Sequence, residues 1–469
     1  MAQTSGSAAP DNPGGFTASG FRYRITPGGF EWNKDEIRGS RPLRWFIGSG
    51  ATARSYLIAD DGYFFEAPVT WYTAARNWDL APGYDRYAYP FLTRPVLPAC
   101  LHCHATGVSP IAGTHNRYAD PPFAEPGIGC ERCHGPGERH ITSAKAVDIV
   151  NPAKLAPDRR DSICAQCHLS GEVRVMRPGA AWSTYHPGGR LADSVAVFIG
   201  GGNMTVTSHV EKLQQSKCKQ ASGDRLWCGT CHDPHRAATT SLGETCSGCH
   251  ACKAKNTDNC TTCHMPKSKV TDAQHVVYTD HSIPRRPRAA VAPATTQLAA
   301  FPGYSRDPRD LALAYAVSAA RRDRASGERP RAQSMLETAV RDHPDDAELL
   351  LYLAEIYRNT GKPDQAIPLY ERAMRLDPAQ LTASVGLGGI LMERAEFADA
   401  IRLWEDALAK DAGLVLVRTN LALAYWQTGD PASAERHLRM ATELAPGLAA
   451  PADLLKKLHP TKNGSRIVP

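Results

Sequence analysis

Six times between Cys100 and His264 the chain places two cysteines three residues apart and follows the second with histidine. The six motifs are Cys100-Leu-His-Cys103-His104, Cys130-Glu-Arg-Cys133-His134, Cys164-Ala-Gln-Cys167-His168, Cys228-Gly-Thr-Cys231-His232, Cys246-Ser-Gly-Cys249-His250 and Cys260-Thr-Thr-Cys263-His264. Two thiols at this spacing reach the two vinyl groups of one porphyrin, and the next side chain is then held beneath the iron as proximal ligand. The competing chemistry is zinc, because paired Cys-x-x-Cys units also build zinc ribbons. Zinc has no need of a histidine directly after every second cysteine, and here all six have one. The pattern therefore predicts six covalently bound haem c groups.

Each iron has a second axial position. Outside the motif-ending histidines this region holds His102, His115, His140, His186, His209, His235, His275 and His281. His102 lies inside a motif, where its backbone is committed, and is a poor candidate. The seven others suffice for six irons, which fits mainly bis-His, low-spin haems. Met176, Met204 and Met265 are the methionines that compete, and Met/His ligation would raise the potential. His235 is too near His232 in the chain to reach the opposite face of the same haem, so it would ligate a neighbouring one and pin two cofactors together. For any single spare histidine a plain surface or propionate-bonding role stands as the alternative. Cys218 and Cys252 fall outside the motifs; a disulfide between them and two free thiols are both open readings.

These residues need elements to hold them, and the chain divides accordingly. It has 469 residues, enough for two or three domains. All 14 cysteines precede residue 264, so a cysteine-rich part is followed by a cysteine-free one. Residues 1–20 are small, polar and rich in Gly and Pro and are expected to be disordered; no charged start and apolar core mark them as a secretory signal. Over 21–97 short aromatic and β-branched runs (FRYRI, RWFIG, RSYLI, YFFEA) predict a β-rich segment packing on the haem domain, with Asp60-Asp61-Gly62 as a hairpin turn. Gly48-Ser49-Gly50 is read as a turn, not a phosphate loop, because no helical pattern follows it. Residues 98–283 are loop-rich with little periodicity, and buried porphyrin faces would have to supply the core of this six-haem domain. Residues 284–307 form a Pro/Ala/Arg linker, and 460–469 a tail.

From 308 to 459 the pattern is helical and repeats. Leu353, Ala354, Tyr357, Ala366, Tyr370 and Pro378 match tetratricopeptide (TPR) spacing. Leu387, Gly388, Leu391, Ala400 and Trp404 return 34 residues later, and Leu421, Ala422, Tyr425, Ala434, Leu438 and Pro446 return again. A degenerate earlier unit carries Ala332, Leu336, Ala339 and Pro344. Small residues at fixed positions let paired helices approach closely and share one core. The fold class is thus multidomain and mostly α: a small β-rich segment, a haem-packed domain and a C-terminal TPR solenoid.

The remaining bulk properties exclude more than they assert. The composition is 42% hydrophobic and 22% charged, without an apolar run long enough for a transmembrane segment. The net charge of +6 is far from a nucleic-acid-binding stripe, and haem propionates would reduce it.

The chain resembles a bacterial family of multihaem c-type cytochromes fused to C-terminal TPR repeats. The resemblance rests on stretches along almost the whole length: Ile47 to Leu57, Trp78 to Tyr84, Ile128 to His140, His209 to Cys218, Cys231 to His235, and His275 to Arg285. It implies electron transfer in the periplasm or extracellular space. It favours His140, His209, His235, His275 and His281 as distal ligands, which stand in the family's motifs; His115 and His186 stand where its pattern is looser. Members usually begin with an export signal and one more Cys-x-x-Cys-His. The expectation is therefore that Met1 is either an internal methionine or a boundary imposed within a longer chain, with room for a seventh haem upstream.

The leading functional reading is an electron carrier, with redox proteins as partners, a protein docked on the repeats, and self-association into a haem wire as a further mode. One alternative is a multihaem oxidoreductase with one open-site haem acting on a small nitrogen or sulfur compound. Another is a TPR scaffold whose haem domain senses redox state.

Overall fold

The computed structural model describes residues 4–7, 10, 12–143, 145, 149–200, 205–236, 243–249, 260–284, 297–321 and 327–458. They form two compact units. One comprises Met1–Thr4, His102–Gly107 and Glu125–Ala332; the other comprises Ser5–Leu101, Val108–Ala124 and Gln333–Pro469.

The second unit joins β-structure to the repeats. Gly14–Ala18, Phe21–Thr26, Gly29–Lys34 and Ile37–Pro42 form an antiparallel meander. Phe21, Tyr23 and Ile25 point inward while Arg22 and Arg24 point to solvent, the period-2 pattern of a half-buried strand. A six-stranded sheet is built around the hairpin Ala53–Asp60 and Tyr63–Tyr72. Its turn carries positive φ at Asp61 (45°) and Gly62 (78°), as a two-residue primed turn requires. Gly48 and Gly50 lie in the turn between Trp45–Ile47 and Ala53–Asp60.

The expectation of disorder over 1–20 is corrected for the strands within it, since Ser5–Ser7 pairs with Trp45–Ile47 and Gly14–Ala18 pairs with Phe21–Thr26, while residues 1–3, 8, 9 and 11 lie outside the described residues. Its glycines serve close packing: a Cβ on Gly15 would stand 2.5 Å from the Tyr23 carbonyl oxygen, and one on Gly14 2.9 Å from the Trp78 ring. Composition alone does not separate that use of glycine from flexibility.

The repeats follow as paired helices Ala347–Asn359 with Pro363–Leu376, Leu381–Glu393 with Phe397–Lys410, and Val415–Gln427 with Pro431–Leu444, then Ala449–Leu458. Ala366, Tyr370, Ala400, Trp404, Ala434 and Leu438 are all essentially fully buried. The middle repeat replaces Ala by Gly388 for a visible reason: a Cβ there would lie 2.4 Å from Trp404 Nε1. The larger ring and the missing methyl compensate each other.

The β-segment packs on these helices. Tyr63 Oη donates to the Ala409 carbonyl at 2.6 Å, and Leu92 N–H to that of Leu444 at 3.1 Å. A Cβ on Gly413 would meet Phe65 Cε1 at 2.4 Å. The segment expected on the haem domain thus shares its compact unit with the repeats. Alternation within its strands shows which face is buried but not what covers it.

The first unit is loop-rich. Its apolar core gathers Ala165, Leu169, Tyr185, Leu191, Val195, Val197 and Phe301 around the strands Val173–Met176, Val195–Ile199 and Ala299–Ala300. That last strand falls within the expected 284–307 linker, where Leu298 and Phe301 are buried. Residues 285–296 of the linker and the 460–469 tail lie outside the described residues. Helix Pro308–Arg321, expected to begin the repeats, belongs to this unit as well. Fully buried Asp310 fixes it, accepting from Arg309 Nη1 at 3.0 Å, from Ser305 Oγ at 2.7 Å and from the guanidinium of Arg177.

Candidate haem-binding site

The motifs lie on short helical turns. Pro98–His104 carries the first, Pro157–His168 the third, Cys228–Cys231 the fourth and Cys260–His264 the sixth. Glu131–His134, with Cys130 at its N-cap, carries the second, and Gly243–Ser247 includes Cys246 of the fifth. Residues three apart share a helix face, so the turns of the first, second, third, fourth and sixth motifs present two thiols side by side, while Cys249 of the fifth lies beyond its helix. His250, Cys252 and Met204 lie outside the described residues, so neither the fifth proximal ligand nor the Cys218–Cys252 pairing is on view.

Histidines from distant parts of the sequence converge on the motif histidines. His168 and His209 stand 4.7 Å apart by ring centroids, with Nδ1 atoms 3.3 Å apart. His209 is 4.8 Å from His281, which is 6.3 Å from His232. A separate pair joins His134 and His235 at 5.9 Å. Tyr278 closes the larger cluster, 4.7 Å from His209, its Oη donating to the Ser208 carbonyl at 2.9 Å.

Four of the histidines have one ring nitrogen already committed. Nδ1–H donates to the carbonyl of Val150 in His134 (2.8 Å), Pro284 in His264 (2.9 Å), Thr279 in His281 (2.7 Å) and Lys145 in His140 (2.9 Å). This is how metal-binding histidines are usually oriented, leaving Nε2 for the metal. Charge acts in the same direction. Burial, then neighbouring His168, His281 and His232, push His209 down to about 3. Burial also lowers His168, His281 and His104. Imidazoles held neutral are in the form that binds iron.

The thiols meet across motifs. Cys103 lies beside Cys167, Cys164 beside Cys228, and Cys246 beside Cys260, and Cys103 Sγ donates to the Gln166 carbonyl at 3.8 Å. Beside Cys228 opens a cavity of about 450 Å³, with Ala165, Leu213, Trp227, Phe301 and Tyr304 in its wall and Arg190 and Lys219 among its polar groups. Asp158, Asp161 and Asp224 line it too, and Arg190 and Lys219 are paired with the first two at 3.2 and 3.6 Å, so it is the apolar and aromatic part of the wall, together with the thiol and imidazole donors, that suits a porphyrin.

The other candidates separate. His115 lies in the repeat-bearing unit, its N–H donating to the Lys410 carbonyl at 2.9 Å and its Nδ1 standing 3.3 Å from Asp411 Oδ2. His186 is exposed in a turn, and His275 is exposed with φ 55°. Met265 follows the sixth motif, its N–H bonded to the Thr261 carbonyl at 2.8 Å. Met176 and the buried His102 line a small cavity with Trp182. Burial chiefly, then Arg132 and Arg174, hold His102 down to about 4. Arg132, Gln166, Arg174 and Trp182 escaped the sequence reading. Arg132 and Gln166 occupy positions that haem attachment leaves unconstrained, and nothing in local spacing announces the other two.

Against known proteins, the cytochrome c554 and c-prime family matches residues 90–135. Tetratricopeptide repeat families match 317–380, 360–413 and 415–440. Multiheme cytochrome MtrA of Shewanella baltica is 28% identical over 175 residues, 33% of this chain and 52% of that protein. Protein O-mannosyl-transferase TMTC3 of Homo sapiens is 29% identical over 116 residues, 24% of this chain and 13% of that protein. The chain therefore spans about half of the first relative and a small part of the second. Among solved structures, MamA from Desulfovibrio magneticus is 20% identical, with a TM-score of 0.30 over 32% of this chain and 84% of that one. Another MamA crystal structure is 21% identical, with a TM-score of 0.29 over 33% and 84%.

Proposed function

We propose, from the premise that this chain is a multihaem c-type cytochrome with C-terminal TPR repeats, that it carries electrons outside the cytoplasm through six mainly bis-His haems. When bound, haem supplies the one-electron couple; the chain attaches it, supplies axial nitrogens and sets its surroundings.

The observation that carries this reading is the pairing of motif histidines with histidines far away in sequence. With metal–imidazole bonds of about 2 Å, two histidines sharing one iron would have ring centroids about 6 Å apart. His134 with His235 (5.9 Å) and His232 with His281 (6.3 Å) have that spacing. His209 is the candidate for His168, at closer range. His140 and His275 remain candidates for other irons. The thiol contacts further support neighbouring haems for the first and third motifs, the third and fourth, and the fifth and sixth. The repeats are proposed to dock a redox protein, with exposed Leu376, Leu416 and Met440 as apolar surface available to it.

The test is the haem count per chain together with an electron paramagnetic resonance spectrum of the oxidised holoprotein. Six haems with low-spin signals only are expected. A substantial high-spin ferric component would transfer the reading to an oxidoreductase with an open-site haem.

A further inference from the structure

Thioether chemistry places no demand on the two residues between the cysteines, yet three of these residues interlock. The residue before the second cysteine is His102 in the first motif, Arg132 in the second and Gln166 in the third. Arg132 Nη2 donates to the His102 carbonyl at 2.7 Å and to Gln166 Oε1 at 2.9 Å. Gln166 Nε2 donates in return to the Arg132 carbonyl at 3.0 Å and to that of Ile163 at 2.8 Å. One guanidinium from the second motif thereby ties the first and third together.

A second guanidinium stands close by. Arg174 lies 5.4 Å from the Trp182 ring, which is 6.0 Å from the ring of His102. Arg132 and Arg174 each bury an Nε–H that has no acceptor. The carboxylate acting on Arg174 is that of Glu211, which already accepts Gly171 N–H at 3.0 Å. Arginine cannot shed its proton to relieve burial, so each is a fixed positive charge in a poorly screened place. Arg132 bonds the residues that directly precede Cys103 and Cys167, the attachment points of two haems, and Arg174 stands across Trp182 from the first of those residues. A haem iron passing from ferric to ferrous gains one electron and breaks no bond, so a fixed cation nearby favours the reduced form.

We propose that Arg132, with Arg174 beside it, raises the reduction potential of the haems on the first and third motifs, making that pair the place where electrons collect. This rests on the carrier reading above.

The experiment is a potentiometric titration of the fully loaded holoprotein, with the haem count taken on each preparation. Arg132→Gln should shift two haem equivalents to lower potential by about a tenfold change in the redox equilibrium, about 59 mV for a one-electron couple. Arg132→Lys, which keeps the charge and loses the fork, should retain most of the native potential. Unmoved potentials in Arg132→Gln overturn the proposal. Equal shifts in both variants also overturn it, since hydrogen bonding would then be the cause. If Arg132→Gln does not load haem, Arg174→Gln and Arg174→Lys carry the same comparison with the same overturning results. A native chain without haem would defeat the carrier reading, whereas a loaded chain with unmoved potentials defeats this inference alone.

Discussion

The repeat-bearing unit and the motif-bearing unit solve the problem of a core in opposite ways. In the repeats, Leu350, Ala354, Ala366, Tyr370, Ala383 and Leu387 pack on one another, and the pattern returns with Trp404 and Leu421. In the motif-bearing unit the small apolar cluster around Val195 and Phe301 sits beside neutral histidines, thiols that pair across motifs, and a cavity of about 450 Å³. The first is complete in its side chains. The second gathers histidines and thiols that the proposed haems would use.

That contrast can be broken most sharply at the cofactor. Replacing Cys164 and Cys167 by alanine should remove one haem and expose the segment around Pro157–His168 to limited proteolysis, while the repeats keep their helical circular dichroism. Loss of both together would show that the units are not energetically separate. Within the repeats, Trp404→Ala should cost about 3–5 kcal/mol in chemical denaturation, with haem content unchanged. Gly388→Ala should cost about 1–3 kcal/mol through overpacking. Combining it with Trp404→Leu should recover part of that loss, because the clash disappears with the indole.

The smallest expected effect concerns pH. His437 is buried, stacks on Tyr425 at 5.6 Å and lies 3.3 Å from Glu405; burial holds its pKa below the usual histidine value. The unfolded chain takes up a proton near pH about 6.5 that the folded repeats refuse. The contribution to stability is therefore fully present above that pH and declines as pH falls toward the lower folded value. Stability measured between pH 8 and 5 should show the decline, and His437→Gln should flatten it.

How much of each unit was legible in the sequence follows from the same contrast. The repeat period could be read because each position has one local role, small or large, in a helix pair. The proximal ligands could be read because attachment chemistry fixes their spacing. The convergence of His168, His209, His232 and His281 could be anticipated only as a surplus of histidines, since no local rule says which of them meet. The strands Gly14–Ala18 and Ala299–Ala300 were missed because their stability comes from backbone pairing with distant partners, which composition does not register. The interlock of His102, Arg132 and Gln166 was invisible for the same reason: it joins three positions, each of them unremarkable alone.

The route of the chain through the two units has a consequence in time. The chain leaves the β-segment, runs through the motifs, and returns to the repeats, so Tyr63 must wait for Ala409, 346 residues later, to complete their bond. Synthesis delivers the N-terminal part first. The early strands are then an unfinished surface for as long as the motifs emerge, and the last helices finish that surface only after every motif has been synthesised.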